Sequence, residues 1–158
     1  MKTKTILLLA ATHIAACAAG FALGIYYLPI LAAPPAPSAA EVQAAAGKAS
    51  FQGEFKRALK GSDALHWGEG KVSVGPSHVT LVGSVAPGPA YKLYLVPKFV
   101  ETNDDFRAIK SQSLQVGDVK TFDNFIVPLP AGAPLDRYDT VLIWCEAFSQ
   151  FITAARYR

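Results

Sequence analysis

Three side chains in the part of the chain after the apolar N-terminus could do redox or metal chemistry: Cys145, His66 and His78. A thiolate with an imidazole could serve a thiolate-bound haem or a His–Cys metal centre, so these residues are the candidate ligands for either cofactor. Composition excludes other centres. Met1 is the only methionine, which rules out Met/His haem ligation, and neither Cys-x-x-Cys-His nor the cysteines of a four-ligand zinc site are present.

Each candidate also has a purely structural interpretation. Free cysteine is commonly buried, and apolar surroundings raise the pKa of a thiol and make it inert. A single thiol in an oxidising compartment can nevertheless form an unwanted disulfide with another protein unless it is buried or has a chemical role. Trp144, next to Cys145, could be a wall of a cofactor site or could only fill the core. His66 and His78 lie beside turn signals, where histidines are ordinary.

Hydrolysis is a weaker hypothesis. Cys145, His66 and Asp63 supply the residue types of a nucleophile, a base and an orienting carboxylate. An apolar strand is a poor place for an exposed nucleophile, however, and no Gly-x-Ser-x-Gly motif occurs. The residues alone therefore leave open whether the chain is an enzyme.

The apolar run from Thr140 to Phe148 predicts the strand that positions the cysteine, because β-branched and aromatic residues fill it. A period of two divides the run into a wholly apolar face and a face with one charge: Val141, Ile143, Cys145 and Ala147 against Leu142, Trp144, Glu146 and Phe148. We therefore expect the thiol to point into a core.

Short apolar runs broken by glycine, proline and polar turns continue through the rest of the chain. They predict an all-β domain of about eight strands, a β-sandwich or a Greek-key, barrel-like fold. The other candidate strands are Ser50–Phe55, Ala64–Trp67, Lys71–Val74, His78–Val85, Tyr91–Val96, Ser111–Val116, Asn124–Leu129 and Phe151–Tyr157. The polar residues after Glu101 predict one helical turn, from Thr102 to Ile109.

The N-terminal segment, residues 1–33, predicts one transmembrane helix. Lys2 and Lys4 precede an uncharged stretch longer than the roughly 20 residues that span a bilayer. The positive-inside rule then makes this a single-pass protein of the cell membrane with its C-terminal domain extracytoplasmic, periplasmic in a Gram-negative cell. Two alternatives stay open: lipidation of Cys17 after processing, and cleavage after Ser38-Ala39-Ala40.

A small-residue motif, Gly20-x-x-x-Gly24, would let two such helices approach closely, which raises homodimerisation as a hypothesis. Residues 34–47 are expected to be a Pro/Ala-rich linker with a short helix, since Ser38 and Glu41 form a capping-box pattern. The domain is expected to span residues 48–158. All 12 acidic and 13 of the 15 basic residues lie at Glu41 or later, so no basic tract indicates nucleic-acid binding.

The stretch Val141-Leu142-Ile143-Trp144-Cys145-Glu146-Ala147-Phe148 resembles the signature of the DM-thirteen electron-transfer domain, found beside DOMON domains in Skeletor-like animal proteins and alone in bacteria. Gly53-x-Phe55, His66 with Gly70, and the strand Ala90 to Leu95 fall in the family's order. The likeness covers about Ser50 to Tyr157. It implies a β-rich fold, a membrane or extracellular setting, and a redox role for the cysteine, as a bare thiol or as ligand of a prosthetic group such as haem.

The sequence therefore supports two functional hypotheses. The first is a membrane-anchored extracytoplasmic redox module centred on Cys145, which would need a redox partner protein to complete a circuit. The second is a non-catalytic envelope or adhesion sandwich in which Cys145 only packs. Reaction of the native thiol, or uptake of haem or metal, would discriminate between them.

Overall fold

The computed structural model describes residues 2–158 as an apolar helix followed by a β-domain. The helices are α1 (Thr3–Ala32), α2 (Ala39–Ala46) and α3 (Asn103–Ile109). The strands are β1 (Phe51–Phe55), β2 (Gly68–Val74), β3 (His78–Val85), β4 (Tyr91–Val96), β5 (Leu114–Asp118), β6 (Asp123–Pro128), β7 (Thr140–Cys145) and β8 (Gln150–Arg156).

The strands form two four-stranded antiparallel sheets. The first has the order β1-β2-β3-β6 and the second β5-β4-β7-β8. β1 approaches β8 at one pair of edges and β5 approaches β6 at the other, so the sandwich is nearly closed. This confirms the predicted all-β sandwich of about eight strands.

The main core lies between the sheets. Its fully buried members come from β2, β3, β4, β7 and β8: Val72, Val74, Val79, Leu81, Leu93, Leu95, Val141, Ile143 and Ile152. A second core covers the outer face of the second sheet, where α3 packs through Phe106 and Ile109 onto Tyr94, Leu142, Trp144 and Phe151. β7 is therefore buried on both faces, which explains why both are apolar.

Three strand predictions need correction. The segment Ala64–Trp67 is a loop, because the Asp63 carboxylate accepts hydrogen bonds from the backbone N–H groups of Leu65 and His66 and holds a turn. The cysteine strand ends at Cys145 rather than Phe148, since the next residues form the turn into β8, with Ser149 at φ 50°. A short 3₁₀ turn over Lys110–Gln112 delays the start of β5.

The predicted capping box at the start of α2 is present. The Ser38 hydroxyl accepts from the Glu41 N–H, and the Glu41 carboxylate accepts from the Ser38 N–H at 2.8 Å. α2 packs against β3 and β6 and buries Val42 completely. α1 has a mean hydropathy of 2.1 over its most apolar window, which is compatible with a single-pass membrane anchor and with a signal sequence.

Candidate functional site

Cys145 is the last residue of β7, and its side chain lies on the inner face of the second sheet. It pairs with Tyr91 of β4 on one side and Gln150 of β8 on the other. Only 2% of the residue is exposed. The expectation that the thiol points into the core is met, but the thiol lies at the end of the core rather than in its middle.

The thiol is held by backbone groups of two loops. Its sulfur lies 3.1 Å from the Pro89 carbonyl oxygen, to which the S–H donates. Burial raises the pKa of the Cys145 thiol, because the thiolate loses its hydration. The amides of Phe148 and Ala147 act in the opposite direction by donating to the sulfur, while the Glu146 carboxylate raises the pKa further. The sulfur is thus shielded from water yet provided with donors for a thiolate.

Glu146 fixes the turn that supplies these amides. Its carboxylate accepts hydrogen bonds from the Tyr94 hydroxyl and from the Lys110 ammonium, the latter at 2.6 Å. Partial burial acts to raise the pKa of Glu146, but these hydrogen bonds outweigh it and leave that pKa below its usual value. The carboxylate is therefore charged at neutral pH and ties the turn to the second sheet and to the segment after α3.

A cavity of about 180 Å³ opens beside Cys145, and His66 lines it too. The imidazole Nδ1 lies 2.8 Å from Oδ2 of Asp63, so this nitrogen is engaged by the carboxylate. Hydrogen bonding by His66 is the main reason that the pKa of Asp63 lies below its usual value. Such a pair fixes the orientation of the ring and its tautomer. The thiol and the imidazole thus line one cavity at the end of the sandwich, and the carboxylate engages the imidazole.

The other two predicted site residues lie elsewhere. His78 is the first residue of β3, whose far end leads toward the cavity. At about 3.3 Å per residue, this strand separates His78 from the cavity end by roughly 20 Å. Trp144 faces the second core and packs against Phe106 with ring centroids 4.9 Å apart. His66 therefore shares a cavity with Cys145, whereas His78 and Trp144 do not line it.

Several lining residues were not predicted from the sequence. The domain's part of the wall is completed by Leu65, Pro87, Gly88, Pro89, Tyr91, Phe148, Gln150 and Ile152, and one side is closed by Ala22, Ile25 and Tyr26 of α1. Pro87, Gly88 and Pro89 are turn-forming residue types, but their place against the thiol depends on the pairing of β4 with β7. These residues belong to four segments that are distant in the chain, so no local pattern groups them.

The cavity does not fit a haem or a multidentate metal centre. Sites that enclose drug-sized ligands have volumes of about 300–1,000 Å³, well above that of this cavity. Within residues 2–158, no group of three or more His, Cys, Asp or Glu side chains is arranged to hold a metal ion. The donors at the site, one thiol and one carboxylate-bound imidazole, suit proton and sulfur chemistry instead.

Comparison with known proteins identifies the family. The family model described as Electron transfer DM13 matches residues 55–157, which covers β2 to β8 and includes Cys145 and His66. No curated protein and no solved structure shows significant similarity to the chain. The match spans well over half of the 158 residues and agrees with the resemblance carried by the Trp144-Cys145 strand. The chain therefore belongs to the Electron transfer DM13 family.

Proposed function

We propose that this protein is a membrane-anchored redox module on the outer side of the cell membrane, and that Cys145 is its reacting group. The observation that carries the proposal is the cavity that Cys145 and His66 line together. A cysteine used only for packing would be expected in sealed hydrocarbon, whereas Cys145 lines a cavity. Membership in an electron-transfer family supports a redox role for the domain.

The step that suits a single thiol is exchange with a disulfide of a partner protein. The Cys145 thiolate attacks one sulfur of that disulfide, forming a new S–S bond and breaking the old one. The second partner sulfur leaves as a thiolate and takes a proton from solvent. One disulfide is consumed and one is formed, so the electrons balance and Cys145 ends in a mixed disulfide.

His66 is the base that we assign to this site. Attack requires the thiolate, and the pKa of the buried thiol is raised, so the proton on Sγ must be removed. Asp63 engages Nδ1 of His66, which leaves Nε2 as the ring nitrogen that can accept this proton. His66 would thus offset part of the effect of burial at the moment of reaction.

An aromatic disulfide reagent that releases a coloured thiolate tests the proposal. The full chain carrying Cys17→Ala, kept folded in detergent micelles, should release one equivalent of coloured thiolate, because Cys145 is then the only thiol. Cys145→Ala in the same background is the matched control and should release none. Release that occurs only after unfolding would contradict the proposal.

The proposed function also includes anchoring of the protein in the membrane by α1 and dimerisation through the same helix. Lys2 and Lys4 before the apolar helix support an N-terminus in the cytoplasm and a domain outside. A Cβ added at Gly20 or Gly24 would meet no atom within 4 Å among the described residues, so this stripe is open to a second helix. Cross-linking in membranes, with Gly20→Leu as the disrupting variant, tests the dimer.

A second function is favoured by the burial of the thiol. At 2% exposure and with a raised pKa, Cys145 is also suited to packing in a non-catalytic envelope or adhesion module. In that case, replacement by Ala leaves the cellular phenotype unchanged although the thiol is lost. A lost phenotype in a folded Cys145→Ala protein would instead favour the redox function.

A further inference from the structure

The end of the sandwich that holds Cys145 carries an unusual pair of exposed side chains. Among the described residues after α1, the large hydrophobic side chains that are mainly exposed are Leu65 at 58% and Phe148 at 55%. They come from loops 83 residues apart in sequence, yet both border the Cys145 cavity. Single exposed apolar residues are ordinary, but a converging pair at a cavity mouth indicates contact with an apolar surface.

α1 continues this apolar surface. Ala22, Ile25 and Tyr26 share one face of the helix, at spacings of three and four residues, and they close the side of the cavity. Tyr26 is 40% exposed and Tyr27 is 52% exposed. Tyrosine is enriched where a membrane-spanning helix meets water, because its ring is apolar and its hydroxyl is polar.

The length of α1 sets the depth of this contact. Its 30 residues extend about 45 Å, about 15 Å more than the hydrocarbon core of a bilayer. If the hydrocarbon core of the bilayer begins after Lys4, the roughly 20 residues that cross it end at Gly24 or Ile25. The cavity is closed by α1 residues at this level, so its mouth coincides with the outer boundary of the hydrocarbon.

We propose that the Cys145 end of the sandwich rests on the outer leaflet, with Leu65 and Phe148 inserted at headgroup level and the cavity opening at the lipid surface. The proposal rests on the membrane anchoring of the proposed function and extends it. The lipid interface is the occupant because the two side chains continue the apolar surface of the anchor itself. A reagent that partitions into membranes then reaches Cys145 more readily than an equally reactive one confined to water.

Spin labels at single cysteines test the contact in the full chain reconstituted into lipid nanodiscs. Cys17→Ala and Cys145→Ala provide the background, which makes the result independent of thiol reactivity at the site. Labels go to Leu65→Cys and Phe148→Cys, with Ala131→Cys in an exposed loop at the opposite end as the matched control. Leu9→Cys, in the N-terminal third of α1 and within its apolar stretch, reports on the anchor.

The measured quantity is the collision rate with oxygen relative to that with a water-soluble nickel chelate. We expect a higher ratio at positions 65 and 148 than at position 131, since oxygen concentrates in lipid and the chelate does not. Equal ratios at these three positions would overturn the proposal. Exclusion of both reagents from positions 65 and 148 would also overturn it, because a protein surface would then cover them. A water-exposed label at position 9 would contradict the anchor instead.

Discussion

Trp144 and Cys145 are consecutive residues of β7 with almost the same burial, 1% and 2% exposed, but they lie in different surroundings. Trp144 lies between the second sheet and α3, in contact with Phe106. Cys145 lies on the inner face, where the core ends at a cavity. Two residues of nearly equal burial thus differ in what surrounds them: Trp144 is enclosed by packed side chains, whereas Cys145 lines a cavity.

Truncating each residue tests most directly whether Trp144 and Cys145 contribute differently to stability. Trp144→Ala should destabilise the domain by about 3–5 kcal/mol, because it empties the site under α3. Cys145→Ala should cost about 1 kcal/mol, the central value for single substitutions. Urea unfolding followed by circular dichroism measures both, with the exposed Gln52→Ala as a control. Equal losses would mean that Cys145 is as structural as Trp144.

The pH dependence of the thiol gives the next largest effect. Because burial raises the pKa of Cys145, its alkylation rate should keep rising beyond the usual thiol pKa of about 8.5, by about tenfold per pH unit. The same raised pKa contributes stability that is fully present below the unfolded value and is lost as pH rises through the folded value. Stopped-flow alkylation of the Cys17→Ala chain measures the profile. A plateau near pH 8.5, as expected for the unfolded chain, would contradict the assigned shift.

Removing the carboxylate that engages His66 should slow the reaction of the thiol. Asp63→Ala leaves Nδ1 of His66 without its partner, so the assigned base loses its orientation and the reaction with the disulfide reagent should become about tenfold slower. Asp63→Asn is the matched control for the loop, since its amide oxygen can still accept from the two backbone N–H groups. A faster reaction with Asp63→Ala would show instead that opening the loop to the reagent matters more than orienting His66.

The smallest effect concerns the charge beside the thiol. Glu146→Gln removes a carboxylate that raises the pKa of Cys145, so the thiolate fraction at neutral pH should increase by roughly two- to threefold. Alkylation rates at fixed pH measure this change. Asp104→Asn, an exposed carboxylate on α3, controls for nonspecific charge effects. A slower reaction would show that the link from Glu146 to Tyr94 and Lys110 orders the turn more than its charge perturbs the thiol.

Local patterns predicted the features that depend on neighbouring residues. The apolar alternation predicted which side of β7 carries the thiol, and the Ser38–Glu41 pair predicted the start of α2. Both succeed because a strand's side-chain alternation and a helix cap are set within a few residues. The strand predicted at Ala64–Trp67 was wrong, because the N–H groups of Leu65 and His66 donate to the Asp63 carboxylate rather than to a neighbouring strand.

Local sequence patterns were enough to predict a long apolar N-terminal helix, an all-β domain and a cysteine on the inward face of its strand. The sequence did not predict that this thiol lies at the end of the core, in a cavity that it shares with His66, with its sulfur against the Pro89 carbonyl. The physical reason is that the cavity is the space left where four separate segments converge. Its shape follows from the pairing of β4 with β7 and from the packing of α1, which no short stretch of residues specifies.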